Sequence, residues 1–341
     1  NSFYIAETKA PANYVRNSND VYSFKFDYLS ENTAKATFTH TFANDRVTAS
    51  LSLIKKDGET GTAQGDATLE GAVYGLYARN NINHPDGATG VVYKAGALVT
   101  TLTTDKDGKA SVSNLYLGNY YVKEIKASTG YLLDPTEYDL AYNYAGDLTA
   151  NVSKTATVKE TVKKQGFQLI KISTNGSDTE GELLEKAGFS AYLKSSLSVD
   201  KNGDYLFDSA TPVVIGSNGE TTLYTDKLGY LETIPLPYGT YIVRETVVPH
   251  NMQAVKPFEV VVSENNPTTP QPWRVFIDEE FTAKIRIIKK DAMYNTTVLV
   301  PNAEFKIYDM NKKSYVTMIT TYPSKVEHTS FFTDEDGDLI L

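Results

Sequence analysis

Three stretches of this chain open alike, and that repetition restricts the fold more than any other feature. Leu53-Ile54-Lys55-Lys56-Asp57, Leu169-Ile170-Lys171-Ile172-Ser173 and Ile287-Ile288-Lys289-Lys290-Asp291 recur at near-equal intervals. Self-similarity at a fixed period marks structural units arranged in tandem. Each lysine stretch is followed by a run of small and aromatic residues, at 71–77, 187–192 and 303–308. A second signature is an alternating run ending in glutamate: Phe3-Tyr4-Ile5-Ala6-Glu7, Tyr120-Tyr121-Val122-Lys123-Glu124 and Tyr241-Ile242-Val243-Arg244-Glu245. Alternation by two places each glutamate on a face shared with apolar residues such as Val122 or Val243, where an ordinary surface glutamate would not sit. A third site lies eleven residues before each lysine: Asn44, Glu160 and Asp278, each closing what reads as the last strand of a repeat.

These strands predict an all-β chain. The 24 tyrosines and 14 phenylalanines, against a single tryptophan, suit pleated half-buried surfaces. Turn pairs such as Asp57-Gly58, Asp107-Gly108, Asn202-Gly203 and Asp336-Gly337 punctuate the runs, and no long segment keeps a 3.6-residue period. The expected architecture is a series of immunoglobulin-like or prealbumin-like β-sandwiches in an elongated array. The repeats divide the chain into 1–47, the back half of a domain; 48–165 and 166–281, two complete domains; and 282–341, a front half that stops where its glutamate strand should begin. Such a chain reads as a piece of a longer array. Its expected partners are neighbouring repeats, with head-to-tail pairing of the two half-domains between copies as a sharper version.

If first and last strands pair, Lys171, Glu245 and Asp278 meet inside one sandwich. Burying three ionisable groups is costly unless they pair or lose their charge. Desolvation lowers an amine's pKa and raises a carboxyl's, leaving a neutral nucleophile beside a protonated acid. The lysine can then attack the aspartate carboxyl and expel water, while the glutamate handles protons. With Asn44 as acceptor, ammonia would leave instead. A lone Lys or Glu on a strand normally faces solvent; the joint recurrence argues for the buried trio.

The repeats resemble the collagen-adhesin B-type, or SpaA-like pilin, domains of Gram-positive surface proteins. The likeness rests on the Leu-Ile-Lys-Lys-Asp strand, the 71–77 strand and the Leu117-to-Glu124 strand. It extends to the stretches after each glutamate, which run to Tyr14, to Gly130-Tyr131, and through Val248-Pro249 to Asn251. It implies a prealbumin-like sandwich, attachment to the cell wall through parts of the parent outside this sequence, and an autocatalytic isopeptide bond. Lys171, Asp278 and Glu245 map onto donor, acceptor and promoter. Glu7 and Asn44 map onto promoter and acceptor without a lysine strand, and Lys289 onto a donor without partners. In the 48–165 domain Lys55 and Glu124 match, but Glu160 is longer than the family's Asn or Asp by a methylene, displacing its carbonyl by about 1 Å. A salt bridge, an unusual bond or no link all stay open there.

The implied function is a stalk or shaft segment of a surface adhesin or pilus; the alternative is an adhesive module for host matrix protein or glycan. Turnover enzymology is not expected. A net charge of −9 disfavours nucleic acid, the absence of cysteine removes disulfides, and no apolar run is long enough to span a bilayer. No cofactor or metal is expected. Four scattered histidines lack ligand spacing, and the acidic runs at 200–204 and 334–338 read as β-turns rather than calcium loops.

Overall fold

The computed structural model describes all residues except 26, 29, 32–34, 174–181, 251, 280–283 and 321–323. Asn251 and the expected boundary at 281/282 therefore lie outside the described residues. The chain divides into two compact units, Asn1–Glu279 and Glu280–Leu341.

Two sandwiches of the same topology occupy most of the first unit. In one, the four-stranded sheet runs in the order Glu137–Tyr142, Gly118–Lys126, Val73–Ala78, Leu98–Thr103. The facing sheet runs Asn151–Glu160, Thr48–Asp57, Lys109–Leu115. The next sandwich repeats this with Phe258–Val262, Gly239–Val247, Gly188–Leu193 and Thr222–Tyr224 in one sheet. In its other sheet Gln168–Ser173 is flanked by Tyr230–Glu232 and Arg274–Asp278. First and last strands pair in parallel in both, so their C-terminal ends finish at the same end of the core. An antiparallel pair would have put lysine and acceptor at opposite ends.

The cores follow the period of two. Along Thr48–Asp57 the inward positions are Ala49, Leu51, Leu53, Lys55 and Asp57; along Asn151–Glu160 they include Ala156, Val158 and Glu160. Tyr120 and Tyr241 are fully buried, and each satisfies its hydroxyl on the carbonyl four residues earlier, Tyr116 and Pro237, at 2.7 Å. Separate apolar clusters form around Tyr74, Leu76 and Val122, and around Phe189, Tyr241 and Val243.

Ahead of these, Ser2–Ala6 pairs with Val21–Lys25. Arg46 ties this segment to the first sandwich, donating to Leu115 O at 2.8 Å and Asn114 O at 2.7 Å and lying over the Tyr116 ring. Residues 41–44, expected to end a strand, carry no strand pairing. Their counterparts at 157–160 and 275–278 are held by a lysine strand, and none lies alongside 41–44 among the described residues. In the second unit Arg286–Ile288 pairs with Asp338–Ile340, and Glu304–Phe305 with Phe331–Phe332.

Candidate functional site

The lysine strand is positioned by an acidic turn. Asp105 Oδ1 accepts from the backbone N–H groups of Asp107 and Lys109, and Gly108 O accepts from Lys55 N at 2.7 Å. Asp226 and Gly229 do the same for Lys171, and Asp334 and Gly337 for Lys289. Gly108 and Gly229 have φ of +74° and +66°, and a Cβ there would lie 2.5 Å and 2.3 Å from the lysine carbonyl oxygen, so only glycine fits. The acidic runs thus spend carboxylate lone pairs on their own backbone; Asp200 likewise accepts from Asn202 and Asp204.

In the second sandwich the structure brings Lys171, Glu245 and Asp278 together with no side-chain exposure. Asp278 lies two residues beyond the point where Phe276 pairs with Lys171, opposite Ser173. Lys171 Nζ donates to Glu245 Oε2 at 3.0 Å and to Asp278 Oδ1. Glu245 Oε2 also accepts from Val255 N at 2.9 Å. Glu245 Oε1 and Asp278 Oδ2 are buried without a hydrogen bond among the described residues. Burial pushes both carboxyls above their usual range, against the opposing pull of Lys171.

The first sandwich assembles its own trio at the same register. Val158 pairs with Lys55 and Glu160 with Asp57. Lys55 Nζ is 2.8 Å from Glu160 Oε2 and 3.6 Å from Glu124 Oε1, again with no side-chain exposure. Glu124 Oε2 accepts from Asp134 N at 2.8 Å, and burial pushes its carboxyl up to about 7. Two tyrosines complete this site: Tyr131, which the sequence marked only as part of the stretch after the glutamate, and Tyr74, which it did not single out. Tyr74 donates its hydroxyl to Glu160 Oε1 at 2.5 Å, and Tyr131 donates to Asp57 Oδ2 at 3.0 Å. Lys55 Nζ stands 4.5 Å from the Tyr131 ring centre. Tyr74 stands where Phe189 stands in the second sandwich: it pairs with Glu124 as Phe189 pairs with Glu245.

The remaining expected sites are incomplete trios. Asn44 Nδ2 donates to Glu7 Oε2 at 2.6 Å and to Val15 O at 2.8 Å, both residues half-buried. Lys289 is exposed and belongs to the other unit.

The family model for the SpaA prealbumin-like fold domain matches this chain twice, over residues 49–156 and 165–273. The chain belongs to this family. Each SpaA match contains the lysine and its glutamate, Lys55 with Glu124 and Lys171 with Glu245, and the third carboxylates, Glu160 and Asp278, lie four and five residues beyond the matched ranges. A curated relative is the trypsin-resistant surface T6 protein of Streptococcus pyogenes serotype M6, 31% identical over 93 residues. That match spans 27% of this chain and only 14% of the relative. Among solved structures, the Bacillus anthracis TIE protein is 22% identical, with a TM-score of 0.44 over 87% of this chain and 44% of that one. The major pilin subunit of Bacillus cereus is 18% identical, with a TM-score of 0.33 over 86% and 84%. The minor pilin of Streptococcus agalactiae is 17% identical, with a TM-score of 0.30 over 69% and 97%. No helix among the described residues is long and apolar enough to cross a membrane.

Proposed function

We propose that this chain is a load-bearing segment of a Gram-positive surface pilus or adhesin, and that its second SpaA domain is closed by an amide between Lys171 and Asp278. The observation that carries this reading is the solvent-free contact of Lys171 with Asp278 and Glu245 on strands at the two ends of the domain. A buried amine between two carboxyls whose pKa values are raised has access to the neutral pair, amine and acid, that condensation requires. The neutral Lys171 Nζ bonds to Asp278 Cγ, the bond from Cγ to the protonated carboxyl oxygen breaks, and that hydroxyl takes one proton from nitrogen and leaves as water. Glu245, within 3.0 Å of the amine, ferries a proton between nitrogen and that oxygen.

The reaction happens once per molecule and produces a structural cross-link, so the role is mechanical. Tension entering on the first strand and leaving on the last passes through one covalent bond instead of a hydrogen-bonded ladder. Intact-mass measurement with peptide mapping tests this. A chain lighter by one water, with a Lys171–Asp278 linked peptide that disappears in Glu245→Ala, is expected. Separate Lys171 and Asp278 peptides from the folded wild type would refute it.

A further inference from the structure

The two SpaA sites share register, burial and a promoter glutamate, and two of the positions at which they differ touch each other. Glu160 replaces the shorter acceptor Asp278, and Tyr74 replaces Phe189 opposite the promoter. We infer that Tyr74 and Glu160 together hold Lys55 as a permanent ion pair, so that the first domain stays unlinked beside a linked second one. This rests on the amide reading of the Lys171 site.

The argument is about which charge state each site favours. Condensation needs an uncharged amine and an uncharged carboxyl. Both sites hold buried carboxylate oxygens without a hydrogen bond among the described residues, Asp278 Oδ2 in one and Glu160 Oε2 in the other, so the difference lies in the aromatic neighbours: Lys171 Nζ stands 5.6 Å from the Phe189 ring, which has no hydroxyl to donate. Around Lys55 both charged forms are stabilised. The Tyr74 hydroxyl donates to Glu160 Oε1 at 2.5 Å, and a hydrogen bond to a carboxylate is about twice as strong as a neutral one. Lys55 Nζ faces Glu160 Oε2 at 2.8 Å and the electron-rich face of Tyr131 at 4.5 Å, which attracts an ammonium and not an amine. Tyr131 is itself fixed by its bond to Asp57, which gives the site another acidic neighbour. The same phenol could polarise a neutral carboxyl toward attack. With Lys55 paired to the other oxygen, however, it meets a carboxylate, whose carbon is a poor electrophile.

The consequence is a stalk with two kinds of unit. Under load the first domain relies on its parallel ladder between Thr48–Asp57 and Asn151–Glu160, and it opens while the second holds.

Mass spectrometry of the whole chain separates this inference from the reading beneath it. In the wild type, trypsin should cleave after Lys55 and no Lys55–Glu160 linked peptide should form; finding that peptide overturns the inference while leaving the Lys171 bond intact. The double variant Glu160→Asp with Tyr74→Phe gives the first site the second site's residues at these two positions and should lose one more water than the wild type, mapped to Lys55. A variant that keeps the wild-type melting profile and gains no link overturns the inference. Glu160→Asn with Tyr74→Phe, which should lose ammonia instead, gives a second reading if the aspartate variant is poorly folded. A wild type that loses no water refutes the Lys171 amide, and the gain or absence of a Lys55 link in the double variants still decides the role of Tyr74 and Glu160.

Discussion

Ser195 of the second SpaA domain donates its hydroxyl to Asp66 of the first at 2.5 Å. Asp66 also receives Thr240 N at 3.1 Å through its other oxygen, and its own N–H donates to Tyr238 O at 2.9 Å. Beneath it the Tyr238 ring packs on Ala67, Tyr131 and Val162. Gly65 and Gly130 make room, since a Cβ at either would lie 2.3 Å from Tyr238 O or 2.8 Å from its ring. The linker is therefore clamped rather than free. Asp66→Ala should remove about 1 kcal/mol and increase cleavage in the 161–167 linker under limited proteolysis. Unchanged cleavage would show that apolar packing of Tyr238 alone holds the junction.

Loss of the Lys171 link should be felt as stability. It would close a loop spanning a sequence separation of 107 residues, and by analogy with disulfides such closure is worth about 4–5 kcal/mol. Lys171→Ala should lower the melting temperature of the second domain and expose it to protease, while the first domain melts as before. Calorimetry resolving the two transitions provides the check.

The turn behind each lysine gives a sharper test of local geometry. Gly229→Ala forces a side chain onto a backbone oxygen 2.3 Å away and into a left-handed φ of +66°, a cost of about 1–3 kcal/mol. Gly61→Ala, at φ +80° with nothing within 4 Å, carries the conformational strain without the clash. Denaturant unfolding should rank Gly229→Ala well below Gly61→Ala, and linkage at Lys171 should be slower in the former.

Glu124 predicts a pH dependence of the first domain. Burial pushes its carboxyl up to about 7 in the folded chain from an ordinary value of 4.5. The folded state therefore holds the proton more tightly than the unfolded one. Its contribution to stability is complete below pH 4.5 and is lost as pH rises through about 7. Urea midpoints measured between pH 5 and 8 should fall in the wild type and fall less in Glu124→Gln; equal slopes would remove Glu124 as the cause.

Much of this architecture is legible in the residues. Alternation by two, with Lys55 after Leu51 and Leu53 and Glu124 after Tyr120 and Val122, shows which face each charged group shares. Its repetition reveals tandem sandwiches and puts a lysine, a glutamate and a second carboxylate at matching places in each. Face alone, however, does not set register between strands about a hundred residues apart. That Glu160 falls opposite Asp57, within reach of Lys55, depends on the parallel pairing of the first and last strands within one sheet. The role of Tyr74 was hidden for the same reason. In sequence it is one more aromatic in a β-strand; only packing of the glutamate strand on one side and the acceptor strand across the core brings its hydroxyl to Glu160. The Asp66–Ser195 contact joins residues 129 positions apart in neighbouring domains. It was decided by tertiary structure alone, because exposed polar side chains carry no periodic signal for the partner they will meet.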